Sequence, residues 1–385
     1  MHPLLTEKHE AYRRKVREFA ESEIREIAGK LDEGNTFSPE LTIKMGEFGL
    51  FGINIPERFG GTNMDTLSYI IAVEELARVD SSQAATVASH NSLGLGPIFD
   101  FGTEKQKAEL LPGLCTGHRL WAFGLTEETA GSDARATKTE ARLENNKWII
   151  NGSKIFITNS ASDLSFGATL QVVTGDKKGE KELSVILVPR SSPGYRCERI
   201  NNKMMWRAAD TGRLFFDNCQ VPEENLLGTR GMGAKVMLKT LDNGRLSIAA
   251  MGLGLARGAF EMALEYAHQR QQFGYPIGKF QSIAFKLADM DMKLEVAQNT
   301  LYKACVMKDK GEPFAHDAAI AKLYCSEIAG EVVDEAVQIF GAYGLFKDNA
   351  IERFYRDQRI LQIGEGTSEI LRVVISRYLG LKHLI

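Results

Sequence analysis

The run Gln362-Ile363-Gly364-Glu365-Gly366-Thr367-Ser368-Glu369 places one carboxylate between two glycines, immediately before a helix start. Glycine reaches backbone angles closed to other residues and lets a ligand come close to the chain. Thr367 is a good N-cap for the apolar-periodic stretch that follows. An acid held there could act as a general base, although the default reading of the same residues is a surface turn with a solvated acid. Four other stretches carry a similar choice. Thr126-Glu127-Glu128-Thr129-Ala130-Gly131-Ser132-Asp133 follows the apolar run Trp121–Leu125 and offers hydroxyls and backbone N–H groups to a ligand, or is a plain polar turn. Arg270-Gln271-Gln272-Phe273-Gly274 closes a helical pattern, where the arginine either caps the last carbonyls or meets a phosphate with both arms. Trp206-Arg207 and Asp242-Asn243-Gly244-Arg245 offer surface ion pairing as the default reading.

Composition narrows the field. The chain has 385 residues, 44% of them hydrophobic, enough for a large core and two or three domains. Lys+Arg 47 against Asp+Glu 50 gives a formal charge of -3, so no global field favours nucleic acid or an anionic membrane. Cys115, Cys197, Cys219, Cys305 and Cys325 lie far apart with no C-x-x-C, which argues against a zinc site or disulfide framework and predicts reduced, mostly buried thiols. Residues 1–8 hold no apolar signal core, and no window approaches the ~18 apolar residues of a membrane span, so an intracellular protein is expected. Gly252, Gly254 and Gly258 miss the dinucleotide spacing and sit inside a helical pattern, where close helix packing is the better reading.

The elements that must position these groups fall into three parts. Residues 1–118 are predicted helical, with a cap at Ser38-Pro39, a capping box at Thr103–Gln106 and a break at Pro56 and Gly60-Gly61. Across 119–228 the period changes to that of strands, and Asn151-Gly152 between two apolar runs predicts a hairpin turn. Across 229–385 long helices return. Phe280, Ile283, Leu287, Met290, Leu294, Ala297, Leu301 and Ala304 form one face; Ala318 to Ile339 and Met237 to Tyr266 form two more. With the helix after Thr367 they predict a four-helix bundle behind a central β-barrel or sandwich.

That order of parts, with TEETAGSD, FIT at 156–158, RQQFG at 270, QIFGAYG at 338 and GEGTSE at 364, resembles the acyl-CoA dehydrogenase family over nearly the whole chain. The resemblance implies FAD between the β-domain and the bundle, an acyl-CoA substrate and a trans-2-enoyl-CoA product. It further implies electrons leaving to an electron-transfer flavoprotein, and a homotetramer built as a dimer of dimers. It places Phe123, Leu125, Thr126, Phe156 and Thr158 beside the flavin ring, and Ser132 where flavin and thioester meet. Arg270, Phe273, Gln281, Gln338, Gly341 and Ala342 would come from a neighbouring subunit, with Thr367 and Glu369 near the adenosine diphosphate. Asp242 and Arg245 match the acyl-CoA contact region, together with Gly364 and Gly366. Glu365 stands where the family's base removes the α-proton, its own N–H and a ribityl hydroxyl supporting the enolate oxygen while hydride passes from Cβ to flavin N5 near Thr158. Some members carry the base instead at the position of Gly244. Carrying glycine there, this chain requires Glu365.

Three residues depart from the common pattern: Glu128 replaces a proline, Phe156 a tryptophan and Gly364 a tyrosine that walls the acyl pocket. The last suggests a branched, cyclic or bulky acyl group. The alternatives are a 2-enoyl-CoA reductase running in reverse, a flavin oxidase or monooxygenase on the same scaffold, and a non-catalytic binding protein, which Glu365 disfavours. The expected compartment is the cytoplasm of a prokaryote, or the mitochondrial matrix for a mature eukaryotic chain. No metal is expected.

Overall fold

The computed structural model describes residues 2–177 and 179–381; Met1 and Ile385, the outer limits of the first and last expected domains, lie outside the described residues. Seven helices come first: α1 (Glu7–Phe19), α2 (Arg25–Glu33), α3 (Pro39–Glu47), α4 (Thr66–Ala77), α5 (Ser81–Ser89), α6 (Gly96–Phe101) and α7 (Glu104–Leu114). Their starts are set by side chains that satisfy otherwise orphan amides. Ser38 accepts from Leu41 N ahead of Pro39, and Thr103 with Gln106 closes the capping box. α4 is buried along its whole length, because it packs against α1 and α5 and against the longest helix of the bundle.

Seven strands follow: β1 (Leu120–Gly124), β2 (Glu140–Glu144), β3 (Lys147–Thr158), β4 (Ser165–Lys177), β5 (Glu180–Pro189), β6 (Tyr195–Arg199) and β7 (Thr211–Pro222). They form one curled sheet in the order β1-β4-β2-β3-β7-β6, with β5 on β4. The expected turn at Asn151-Gly152 is not there. β3 runs straight through it, and the reversal lies at Asn145 and Asn146, whose φ values of 49° and 59° make the primed turn that suits a twisted hairpin. Gly152 instead marks a bulge between Ile150 and Gly152. Any Cβ there would lie 2.7 Å from Thr139 Cα, so close approach is what the glycine serves.

The remaining helices are α8 (Gly233–Gln269), α9 (Gln281–Asp309), α10 (Ala315–Phe340), α11 (Ile351–Asp357) and α12 (Ser368–Tyr378), with the two-residue strands β8 (Gln271–Gln272) and β9 (Tyr275–Pro276) between α8 and α9. The expected faces are the buried ones: Leu287, Met290, Leu294 and Leu301 on α9 meet Cys325, Ile328 and Val332 on α10 in one core. Each such side chain contributes roughly 1.5–3 kcal/mol, whereas a part-exposed ion pair such as Lys303–Asp317 is worth about 0–1 kcal/mol. Apolar packing therefore holds the bundle. On α8 a Cβ at Gly254 would sit 2.1 Å from Glu74 O, one at Gly258 2.2 Å from Arg78 O and one at Gly252 2.7 Å from Cys325 O. These glycines let α4 and α10 close on α8. Among the described residues no helix is long and apolar enough to cross a membrane.

Candidate active site

Glu365 lies in the loop between the 3-10 turns of 358–362 and α12. Its φ of 54° is left-handed and that of Gly366 is 105°. A non-glycine residue in this region costs about 1–2 kcal/mol, so neighbours must hold it. Thr367 does so from one side, its hydroxyl accepting from Ile370 N at 3.2 Å to cap α12. Lys322 on α10 does so from the other, its Nζ donating to Gly366 O at 2.6 Å. The turn aims the carboxylate at α8. A Cβ built on Gly244 would fall 1.9 Å from Glu365 Oε2, so the missing side chain at 244 is the space that this carboxylate fills.

Although the residue as a whole is half-buried, Oε2 is shut off from solvent and has no hydrogen-bond partner among the described residues. Burial pushes the carboxyl up to about 7, against the pull of Lys322 and Arg245. A desolvated oxygen with no competing donor and a pKa near neutrality suits a general base. Arg245 is buried one residue from Gly244 and pairs with Asp242, and its Nε has no partner among the described residues. Gly364 stands between Glu365 and Ile360; a Cβ there would meet Ile360 O at 3.5 Å and its Cδ1 at 3.7 Å, ordinary contacts that leave room for a side chain.

The loop after β1 faces the N-terminal half of α8 across a narrow cleft lined by Leu125, Ala134, Arg135, Gln171, Met237 and Leu241. Phe123 is buried at the end of β1, and Thr126 O accepts from Ile155 N at 2.9 Å. A buried ion pair fixes this loop: Lys154 Nζ donates to Glu127 Oε1 at 2.7 Å and to Leu125 O at 3.2 Å. Glu127 also accepts from Lys138 N and Thr139 N at 2.7 and 3.0 Å. Burial pushes the Lys154 ammonium down to about 8, and Lys154 holds Glu127 below the usual carboxylate range despite burial. Phe156 combines a φ of 61° with 65% exposure, while Thr158 ends β3 opposite Thr211. A large ring on a strained backbone, left open to solvent, is unexplained by packing within the chain and fits a flat ligand. Ser132 is exposed on the loop, and Glu128, in place of proline, pairs with Arg213.

A second group of expected residues lies elsewhere. Phe273, φ 52°, forms the turn between β8 and β9 with Gly274 and is 89% exposed. The Arg270 guanidinium lies 5.4 Å from the centre of the Tyr343 ring, which brings it to the turn holding Gly341 and Ala342 after Gln338. Gln281 opens α9 directly after Phe280, whose ring meets that of Phe273 at 6.1 Å. Gly244 and Gln269 are 25 positions apart on α8, about 38 Å at ~1.5 Å per residue. One chain therefore presents the two groups at opposite ends of a long helix, with Thr367 and the exposed Glu369 at the Glu365 end.

Lys154, Glu127 and Lys322 were not singled out by sequence pattern. Of these, Lys322 left a signal: it is four residues after Ala318 and three before Cys325, on the buried face of α10. The bulge between Ile150 and Gly152 hides Lys154 from the strand alternation.

Residues 6–118, 122–219 and 231–380 match the N-terminal, middle and C-terminal domain models of acyl-CoA dehydrogenase in turn. The chain belongs to the acyl-CoA dehydrogenase family. It is 43% identical over 97% of its length, and 98% of the relative's, to the short-chain specific acyl-CoA dehydrogenase of Clostridium acetobutylicum. The solved butyryl-CoA dehydrogenase of Megasphaera elsdenii superimposes with a TM-score of 0.95 at 40% identity, covering 98% of this chain and 99% of that one. A chain solved in work on the electron transferring flavoprotein of Acidaminococcus fermentans does so with 0.95 at 42% identity over the same shares. The protein is thus an acyl-CoA dehydrogenase, an oxidoreductase of a family that binds FAD. The open Phe156 ring on its left-handed backbone fits the flat ring of that cofactor.

Proposed function

We propose that this dehydrogenase oxidises a short acyl-CoA, with Glu365 taking the α-proton at Oε2. The observation that carries this is the unpartnered, buried Oε2, held against Gly244 by a left-handed turn and brought to about 7 by burial. The N–H of Glu365 would donate to the thioester oxygen, favouring charge that develops there as the proton leaves. Ser132, Asp242 and Arg245 would hold the thioester and its CoA, with Gly364 and Gly366 lining the acyl end. FAD, when bound, supplies the acceptor for the hydride leaving Cβ. Phe123, Leu125, Thr126, Ser132, Phe156 and Thr158 would hold it in one subunit, with Thr367 and Glu369. Arg270, Phe273, Gln281, Gln338, Gly341 and Ala342 of a second copy would complete the site. The length of α8 and the exposure of Phe273 support that sharing, and with it at least a dimer, in a tetramer. We assign residues 1–118, 119–228 and 229–385 as the three domains, and an electron-transfer flavoprotein as the acceptor, in keeping with the Acidaminococcus neighbour.

The short acyl group is supported by relatives named short-chain specific and butyryl-CoA dehydrogenase. A branched, cyclic or bulky group draws support only from the room at Gly364. Dye-linked turnover with butyryl-, isobutyryl- and octanoyl-CoA separates the two readings. Butyryl-CoA should give the highest kcat/KM; octanoyl-CoA equalling it would overturn the short-chain reading. If isobutyryl-CoA leads and Gly364→Tyr abolishes only that activity, the branched reading stands instead.

A further inference from the structure

Lys322 is fully buried on α10, on the face that carries Ala318 and Cys325. An ammonium in such a place is costly unless strong partners meet it. Among the described residues its Nζ makes one hydrogen bond, to Gly366 O at 2.6 Å. That carbonyl belongs to the residue following the base, inside the turn whose two positive φ values aim Glu365 at α8. The charged groups around Lys322 are Glu365 on the loop, Arg245 on α8, Glu327 on α10 itself and Glu369 on α12. Tyr69 on α4 senses the Glu365 charge from the remaining side, where its hydroxyl meets Ser247 at 2.8 Å. Arg245 is already engaged by Asp242. Among the described residues, Lys322 is thus a cation whose one bonded partner is the base loop. Its ammonium, pushed down by burial to about 8, is sustained chiefly by Glu365.

We propose that Lys322 is a positioning residue for the catalytic base: its bond to the Gly366 carbonyl fixes the left-handed turn, and its charge favours the ionised form of Glu365. This rests on Glu365 being the base. An apolar side chain of similar length would fill the same volume at less desolvation cost, so packing alone does not account for a lysine here. Both parts of the role act on Glu365 rather than on substrate, and they can be separated. Glutamine can still donate to Gly366 O but carries no charge; methionine does neither.

The test compares holoenzyme carrying Lys322→Met, Lys322→Gln and Glu365→Gln with the unaltered protein, reading kcat, KM for butyryl-CoA, flavin content and the pH profile of kcat/KM. Lys322→Met should lower kcat about 100-fold, as expected of a displacement near 1 Å, with KM little changed. Its acidic limb should move up by about one pH unit, the usual effect of losing a nearby opposite charge. Lys322→Gln should recover most of kcat above the limb and keep the upward shift. An unshifted limb in both variants overturns the proposal, whether or not kcat falls, because a merely structural lysine would lower activity equally at every pH. Should Lys322→Met yield no holoenzyme, the limb of Lys322→Gln decides alone. Full turnover by Glu365→Gln would instead overturn the base assignment, independently of either lysine variant.

Discussion

Gly244→Ala should separate activity from stability in this protein. The added Cβ would lie 1.9 Å from Glu365 Oε2, 2.9 Å from its Cδ and 3.0 Å from Leu93 Cδ2. Ordinary contacts lie near ~3.5 Å, so the carboxylate must withdraw by about 1.5 Å. All three atoms belong to the ends of side chains, which can swing aside. Forcing Glu365 off its rotamer costs on the order of 1 kcal/mol, and alanine regains about 0.5–1 kcal/mol over glycine inside a helix. The two nearly cancel, leaving Tm within about 4 °C of the parent. Activity has no such offset: a 1 Å displacement of a catalytic group costs about 100-fold, or roughly 2.7 kcal/mol of barrier. Dye-linked turnover of butyryl-CoA and thermal unfolding of the same preparations give both numbers. A kcat within threefold of the parent would refute the claim that the space at 244 exists for the Glu365 carboxylate.

A contrasting glycine lies ten residues further along α8. Gly254→Ala would press a Cβ to 2.1 Å from the Glu74 carbonyl oxygen; backbone cannot swing aside, so chemical denaturation should show a loss of about 3 kcal/mol or more. Lys154→Met leaves Glu127 buried without its cation, which should cost about 3–5 kcal/mol in the same assay and lower the flavin content of purified protein. With the Glu365 carboxyl raised to about 7, kcat/KM should be level above that pH and fall tenfold per unit below it. The folded state then holds this proton more tightly than the unfolded chain does, so the group's contribution to stability is lost as pH rises from the usual carboxylate range through 7. Glu365→Gln should accordingly raise the Tm of the flavin-free protein at pH 8 and not at pH 4.5.

Local chemistry made much of the fold legible. Ser38-Pro39 and Thr103–Gln106 announce helix starts because a cap is made by residues within one turn, and the faces of α9 and α10 can be read because burial repeats with the helix. Asn151-Gly152 misled because the same pair serves a turn or a close approach, and only the position of Thr139 decides between them. Lys154 and Lys322 went unnoticed for a related reason. A lysine reads as solvated until a partner from another part of the chain is known, and here the partners are Glu127 and the Gly366 carbonyl. At Glu365 the residues alone made a solvated turn the default reading and left a base as the alternative. The space at Gly244 and the unpartnered oxygen, neither visible in the local pattern, favour the base.

Anaerobic titration of the flavin-loaded protein with butyryl-CoA, followed by its visible absorption, tests the central assignment most directly. The unaltered protein should bleach on mixing, and Glu365→Gln should bind butyryl-CoA with its flavin band intact. Equal bleaching of the two proteins would contradict the assignment of Glu365 as the base.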